Sequence, residues 1–161
     1  GGLLALIATP SSPARNVAVA VLVTWAIPNG VLGWLDDHKP IDIRVKFAVQ
    51  AALAVVTAAL GVRVSSFVLP FVGEVSLGFL AWPFTVLWLI WMCNLFNFMD
   101  GMDAFSALCG AIFCGGLMML STFGGQDDVL ALGALMLGGF LGFLFFNWPP
   151  ARVFMGDAGA N

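Results

Sequence analysis

Five long apolar stretches constrain the fold of this 161-residue chain more than any other feature of its sequence. A helix needs roughly 20 mostly apolar residues to cross a membrane, and four of the stretches come close to this length. The remaining stretch is shorter, but Lys46 and Arg63 at its ends can extend toward the two membrane surfaces. The five stretches cover residues 17–35, 47–62, 79–97, 104–123 and 129–147.

The composition supports the same interpretation. Apolar residues make up 61% of the chain and charged residues 9%, against about 45–50% and about 25% in soluble domains. A water-soluble surface cannot be built from so few charged groups. The sequence therefore predicts an all-α integral membrane protein, a polytopic bundle of transmembrane helices.

The chain shows no tandem repeat or low-complexity linker, so we expect a single transmembrane domain over residues 1–161. Residues 1–8 are apolar but too short to span a membrane, and we interpret them as the end of a further helix. The expected fold is five complete spans plus a partial one, in a piece of a larger multi-span protein. Gly138 and Gly142 form a GxxxG pattern that favours close packing within the bundle, with a homodimer face as the alternative.

The charged residues exclude one class of partner and predict an orientation. With 6 Lys and Arg against 9 Asp and Glu, the chain has no basic patch that would bind nucleic acid. Loops 36–46 and 148–157 carry more basic residues than the segments of opposite parity, which predicts that both loops are cytoplasmic. Counting spans places five carboxylates on that face: Asp36, Asp37, Asp100, Asp103 and Asp157.

The first motif is the pair Asp36 and Asp37 in GWLDDHKP. Two adjacent carboxylates at a membrane surface repel each other and need a cation, a proton or a basic neighbour. Successive side chains point about 100° apart on a helix, so one carboxylate can bind a metal while the other acts as a base. The alternative is a solvated helix end with Lys39 nearby.

The second motif is NLFNFMDGMD, residues 94–103. Asn94, Asn97, Asp100 and Asp103 recur every three residues, so on a helix they form one polar stripe in an apolar sequence. Polar residues in a span are costly and usually face a cavity or a partner, which predicts a functional site. The alternative is an interfacial loop that only needs polar groups.

The third motif is RVFMGDAGAN, residues 152–161. Asp157 lies between small residues, and Gly156 and Gly159 would let the backbone approach a ligand closely. A simple glycine-rich turn is the alternative. Arg152 suits either an anchor at the cytoplasmic surface or a contact with phosphate.

The residue types of the three motifs indicate the kind of metal ion. Carboxylates and amides with few imidazoles or thiols favour a hard cation, Mg²⁺ or alternatively Mn²⁺. His38 is the only histidine of the chain, and its three cysteines form no CxxC pair. The residues thus predict metal-assisted phosphoryl chemistry at a cytosol-facing site that lipids can reach.

In order along the chain, these motifs resemble the polyprenyl-phosphate N-acetylhexosamine-1-phosphate transferases, glycosyl transferase family 4. The resemblance covers residues 17–159 and includes Arg44, Lys46 and Gln50, which follow GWLDDHKP, and NWPPARVFMGDAG at 147–159. It is greatest for the branch that initiates O-antigen.

The resemblance implies transfer of a sugar 1-phosphate from a UDP-N-acetylhexosamine to undecaprenyl phosphate, with Mg²⁺ bound and UMP released. It also implies a multi-pass protein of the bacterial inner membrane with a cytoplasmic active site. The glycan would be a lipid-linked precursor of the cell envelope, such as O-antigen in lipopolysaccharide biosynthesis.

The resemblance also implies roles for individual residues. Asp157 would bind Mg²⁺, Asp36 and Asp37 would handle the lipid phosphate, and one of these two would remove its proton. Asp100 would help to hold the nucleotide, and Phe154 would stack on uracil. The remaining residues implied to bind substrate are Asn97, Asp103 and Arg152.

The chain departs from the family pattern at two positions. The family commonly continues DGxDG and GDxGS, whereas this chain has Ala104 in the first motif and Ala160 in the second. Two other functions fit the residues less well. One is an intramembrane Mg²⁺-dependent prenyltransferase, and the other is a non-catalytic ion-coupled transporter lined by the carboxylates.

Overall fold

The computed structural model describes residues 13–160, and helices form most of that part of the chain. A short π-helix, Leu22–Ala26, joins the first two α-helices, and a 3₁₀-helix, Gly78–Leu80, leads into the fourth. The α-helices of the described residues are α1 (Pro13–Val21), α2 (Ile27–His38), α3 (Ile43–Ala59), α4 (Ala81–Met99), α5 (Phe105–Gly124), α6 (Asp127–Asn147) and α7 (Gly156–Ala160).

Within residues 13–160, four helical segments are long and apolar enough to cross a membrane. They are Val19–His38, Gly78–Met99, Phe105–Gly124 and Asp127–Asn147, and they coincide with four of the five predicted spans. The predicted span at 47–62 overlaps helix α3, which begins at Ile43 and ends at Ala59, so its bounds were wrong. With 17 residues, about 26 Å at roughly 1.5 Å per residue, α3 is not among these four segments, so the described residues hold four candidate spans where five complete spans were expected. The all-α polytopic class is confirmed, while the predicted partial span at 1–8 lies outside the described residues.

A β-hairpin between α3 and α4 was not predicted from the sequence. Strand β1 (Ser66–Leu69) pairs antiparallel with β2 (Gly73–Ser76), with Ser66 opposite Ser76. Its strands contain β-branched and aromatic residues, and Pro70 and Gly73 bracket the turn, as is typical of a short hairpin. Because the hydropathy of this segment resembles that of the neighbouring spans, the hairpin is not visible in the apolar pattern.

The chain folds as two compact units. Unit A holds Val19–Asn97 and the segment that begins at Gly156, and unit B holds Phe98–Met155 and the segment before Val19. In unit A, Trp25, Ala54 and Cys93 form a small buried core. Most large apolar side chains of both units are exposed, as expected for helices that face lipid.

In unit B, α5 and α6 form an antiparallel pair joined by a short turn. The pair packs closely where Gly110 of α5 faces the ring of Phe140 and where Gly133 of α6 faces α5. Gly138 and Gly142 take no part in this packing. Among the described residues, no atom outside their own helix backbone lies within 4 Å of a Cβ placed at either glycine.

Candidate active site

Lys46 lies at the centre of a charged cluster in unit A. Its Nζ donates a hydrogen bond to Oδ2 of Asp36 at 2.8 Å and another to Oδ2 of Asp157. The three residues come from α3, α2 and α7, and 111 positions separate Lys46 from Asp157. The side chains of Lys46 and Asp36 are each 17% exposed, so the cluster is largely shielded but still open to solvent.

Asn97, near the end of α4, holds the other oxygen of the same carboxylate. Its Nδ2 donates to Oδ1 of Asp157 at 2.7 Å. Each oxygen of Asp157 therefore accepts from a different helix, one from Lys46 and one from Asn97. Two donors on opposite oxygens fix the orientation of this carboxylate.

The adjacent carboxylates of the first motif have different partners. Asp37 accepts from the backbone amides of Asp157 at 3.0 Å and Ala158 at 3.2 Å, in the first turn of α7. Asp36 accepts from the amide of Ile41 at 2.6 Å and from Lys46. The basic neighbour of this pair is thus Lys46, and not Lys39 as the alternative interpretation of the motif suggested.

Two glycines allow α7 to lie this close to α2. A Cβ on Gly33 would overlap the backbone of Asp157 and approach that of Ala158. Gly156 has φ +63°, and a Cβ there would lie 2.9 Å from Oδ2 of Asp37. The sequence predicted that Gly156 admits a ligand, whereas in the structure the group it admits is the carboxylate of Asp37.

The charges of the cluster do not cancel. One ammonium faces the two carboxylates of Asp36 and Asp157, which leaves this trio with a net negative charge. Lys46 precedes the predicted span 47–62, and partial burial alone would lower its pKa. Hydrogen bonds to Asp157 and Asp36 outweigh the burial, so the pKa is raised and the side chain stays protonated at neutral pH.

The carboxylates fit a metal ion only in part. Among residues 13–160, no three or more His, Cys, Asp or Glu side chains form a group that would hold a metal ion. Asp36 and Asp157 nevertheless share one cation, the Lys46 ammonium, and their oxygens are the hard ligands that Mg²⁺ prefers. Mg²⁺ is usually held by one or two carboxylates together with substrate phosphates, and this donor set matches that requirement.

The polar residues of unit B hold two loops together. Asn147 is fully buried, its Oδ1 accepts from the amide of Ala104 at 2.8 Å, and its Nδ2 donates to the carbonyl of Val153 at 2.9 Å. Oδ2 of Asp103 accepts from the amide of Ala151 at 3.0 Å. The loop after α4 is therefore joined to the end of α6 and the loop after it through Asp103 and Ala104.

The other predicted residues of unit B differ in exposure. Asp100 is only 6% exposed, and its Oδ1 accepts from Oγ of Ser106 at 3.2 Å. Arg152 and Phe154 are exposed on the loop after α6, and the Phe154 side chain is 47% exposed. The structure thus brings Asp36, Asp37, Asn97 and Asp157 together in unit A.

The polar stripe predicted for residues 94–103 needs a correction. Helix α4 ends at Met99, so only Asn94 and Asn97 lie on it, while Asp100 and Asp103 lie in the turn that follows. Gly101 follows Asp100 directly, and glycine favours the end of a helix. The stripe is therefore part helix and part loop.

The structure explains why the family prefers glycine where this chain has Ala104. Ala104 adopts φ +60°, a left-handed conformation that costs an L-residue roughly 1–2 kcal/mol. Replacing it by glycine removes this strain but gives up about 0.8 kcal/mol for one buried methyl group.

We therefore expect Ala104→Gly to change the melting temperature little and to retain activity. Ala104→Val places a β-branched residue at positive φ, and should cost about 1–3 kcal/mol. Thermal unfolding of both variants in detergent measures the difference. A glycine variant that unfolds much earlier than the valine variant would contradict this account.

Lys46 and Asn147, which make these contacts, were not among the predicted site residues, and neither was Gln50, which contacts Cys93 and Asn94. Lys46 and Gln50 belong to the family resemblance, and Lys46 also suits an anchor at a span end. Asn147 is the first residue of the NWPPARVFMGDAG segment of that resemblance. A polar residue in or beside an apolar span was the one signal that could have singled out Gln50 and Asn147.

Comparison with known proteins agrees with the resemblance. The model of the family described as glycosyl transferase family 4 matches residues 18–161. The chain is 37% identical over 131 residues to the "Probable undecaprenyl-phosphate N-acetylglucosaminyl 1-phosphate transferase" of Bacillus subtilis (strain 168). That match covers 81% of this chain and 37% of the relative.

The chain is also similar to phospho-N-acetylmuramoyl-pentapeptide-transferases of Streptococcus pneumoniae. It is 29% identical over 178 residues to that of serotype 19F (strain G54), covering 99% of this chain and 54% of the relative. With that of strain 70585 it shares 32% identity over 139 residues, covering 81% and 43%. The chain thus spans about half the length of these curated relatives or less. The family match extends over most of this chain. The chain belongs to glycosyl transferase family 4.

Proposed function

We propose that the full-length protein transfers a sugar 1-phosphate to a polyprenyl phosphate, and that this chain supplies the carboxylates of its active site. The observation that carries the proposal is the cluster in which Lys46 and Asn97 hold Asp157 beside Asp36. The cluster contains residues from α2, α3, α4 and α7 of a chain that belongs to the family. It brings residues of all three sequence motifs into contact. Such a convergence of charged groups in an apolar protein is typical of a functional site.

The names of the relatives and phosphate chemistry support one reaction for this proposal. The acceptor would be undecaprenyl phosphate and the donor a UDP-N-acetylhexosamine. An oxygen of the lipid phosphate would attack the phosphorus bound to the sugar, and the bond from that phosphorus to the oxygen bridging the two phosphates would break. UMP would leave with the bridging oxygen, and the lipid would carry a new diphosphate linked to the sugar.

Magnesium, or alternatively manganese, fits the donor set of this site. Asp157 is its best ligand because both carboxylate oxygens are oriented by Lys46 and Asn97, and Asp36 is the second carboxylate that contacts Lys46. The ion would neutralise charge on the donor diphosphate. Residues of this chain would orient the ligand of the ion, because α3, α4 and the start of α7 determine where Asp157 points.

The contacts favour different roles for the two adjacent aspartates. Both oxygens of Asp37 accept from the amides at the start of α7, so this residue holds Asp157 in place. Asp36 faces Lys46 and is the better candidate to meet the lipid phosphate. Because a phosphate monoester has its second pKa near 6, the lipid phosphate is largely ionised in the cytosol, and a strong base is not required.

The family resemblance supports further roles in binding the nucleotide sugar. Asp100 would help to hold the nucleotide, while Asp103 and Arg152 would contact the donor. Phe154 is half exposed, so a face of its ring is accessible for stacking on uracil. Asn97 would serve both the donor and the orientation of Asp157.

The family and the basic loops support a subcellular location and a membrane orientation for the protein. We propose a multi-pass protein of the bacterial inner membrane whose carboxylate site faces the cytoplasm, with O-antigen as the glycan. A homodimer through Gly138 and Gly142 is part of the same proposal, since no other described residue packs against these positions.

The test is UMP release by membranes that contain the full-length protein. Undecaprenyl phosphate, Mg²⁺ and a panel of UDP-N-acetylhexosamines are supplied, and UMP is quantified with and without the lipid. We expect lipid-dependent and metal-dependent UMP from one donor or a few related donors. The preferred donor identifies the sugar.

The same membranes distinguish the alternative functions. Absence of UMP with every donor, in membranes where the protein is present and folded, would overturn the proposal. Release of pyrophosphate from a prenyl diphosphate would instead indicate a prenyltransferase. Membranes from cells without the protein provide the background.

A further inference from the structure

A pair of side-chain amides, one buried and one partly buried, joins α3 to α4 one helical turn away from the charged cluster. Gln50 of α3 is 1% exposed, and its Oε1 accepts from Nδ2 of Asn94 at 2.9 Å. Its Nε2 donates to Sγ of Cys93 at 3.4 Å, and Asn94 also donates to the carbonyl of Ile90. The amide of Gln50 thus has a partner on each side, both on α4.

The pair has a fixed relation to the two residues that hold Asp157. Gln50 lies four positions after Lys46 on α3, and Asn94 lies three positions before Asn97 on α4. Residues with these spacings share one face of a helix in successive turns. The amide pair and the two donors to Asp157 therefore lie on the same face of each helix, in adjacent layers.

The hydrogen bond restricts sliding of one helix along the other. A slide by one helical turn moves a helix about 5.4 Å along its axis, which would lengthen the 2.9 Å contact to about 6 Å, well beyond hydrogen-bond range. Apolar side chains of similar size would pack between the helices but would not select one position along the axis. A buried polar pair is a known means of fixing helix register.

We propose that Gln50 is a positioning residue that sets the register of α3 against α4, and thereby the separation of Lys46 and Asn97 across Asp157. Its own side chain points into the helix interface and need not touch a substrate. The catalytic consequence rests on the proposed function, whereas the effect on Lys46 is a property of the protein alone.

The effect on Lys46 is measured by acylation of lysine amines in the full-length protein. A water-soluble reagent is applied, and mass spectrometry follows Lys46 relative to the exposed Lys39 in the same molecule. We expect Gln50→Leu to raise the ratio of Lys46 to Lys39 labelling by about fivefold, because Lys46 is held less firmly between its carboxylates. An unchanged ratio in this variant would overturn the proposal.

The matched control is Thr57→Val, seven residues further along α3. Thr57 is also fully buried, and its Oγ1 lies 2.9 Å from Oγ1 of Thr24, so this variant removes a polar contact between helices without touching the amide pair. We expect its labelling ratio to equal that of the wild type. An equal rise in both variants would indicate general loosening of α3 and would overturn the proposal.

A double exchange tests whether the length of the amide pair matters. Gln50→Asn shortens one partner and Asn94→Gln lengthens the other, so the double variant keeps the total span. We expect each single variant to raise the labelling ratio and the double variant to restore it to within about twofold of the wild type. A ratio that stays raised in the double variant contradicts a role in register.

Activity provides the second readout. If the full-length protein releases UMP, Gln50→Leu should lower kcat by about tenfold or more with little change in KM for the donor. Thr57→Val should leave both constants near the wild-type values. Absence of UMP in the wild type would overturn the proposed function, while the labelling ratios would still decide the role of Gln50.

Discussion

Asp157→Asn in the full-length protein is expected to reduce lipid-dependent UMP release by about a hundredfold to a thousandfold. The variant keeps the size of the side chain but removes the charge that Lys46 contacts and that a metal ion would need. It also places an NH₂ group where Asp157 now only accepts hydrogen bonds, from Lys46 on one oxygen and Asn97 on the other.

The measurement compares initial rates across a range of Mg²⁺ concentrations, with Asp127→Asn as the matched control. Asp127 is an exposed aspartate in the first turn of α6, and its replacement should leave the rate within about twofold, since exposed groups contribute little. Equal activity of Asp157→Asn and the wild type would exclude Asp157 as the metal ligand. Thermal unfolding of both variants separates a lost function from a lost fold.

The membrane class and most of the spans were predictable because hydropathy alone determines them. Each helix that crosses a bilayer must satisfy its own backbone hydrogen bonds and expose apolar side chains, and both demands appear in a local window of sequence. The hairpin Ser66–Ser76 was not predictable in this way. Its apolar strands have the hydropathy of a span end, and only the pairing of the two strands distinguishes them.

The grouping of Asp36, Asp37 and Asp157 was expected from counting spans, which places residues on one face of a membrane without any tertiary information. The role of Lys46 was not. A lysine at a span end has an adequate local explanation as an anchor, and its contact with Asp157 joins residues 111 positions apart. Long-range contacts of this kind need the packing of α7 against α2, for which the local pattern gives no signal.

Backbone conformation accounts for the other differences between what the sequence predicts and what the structure shows. Nothing in NLFNFMDGMD fixes whether the helix ends before or after Asp100, because the polar spacing of three continues through the turn. Likewise, the left-handed conformation of Ala104 cannot be read from an alanine, which favours helix. Only the family preference for glycine at this position pointed to the turn.

Gly33→Ala is expected to lower activity by about a hundredfold through one added methyl group. A Cβ at Gly33 would overlap the backbone of Asp157 and not the end of a flexible side chain, so α7 itself must move. A displacement of about 1 Å at a reacting centre can reduce a rate by about a hundredfold. Overpacking of this kind also costs about 1–3 kcal/mol of stability.

Gly30→Ala is the matched control, since both glycines lie on α2 and face the same short helix. A Cβ at Gly30 would lie 3.7 Å from the carbonyl oxygen of Ala158, an ordinary van der Waals contact. Because alanine is favoured over glycine in a helix by about 0.8–1.0 kcal/mol, this variant should be as stable as the wild type or more stable, with full activity. UMP release and thermal unfolding of the two variants are compared in the same membranes. Equal activity of Gly33→Ala and Gly30→Ala would show that α7 does not approach α2 at Gly33, and would exclude the cluster in which Asp37 and Lys46 hold Asp157.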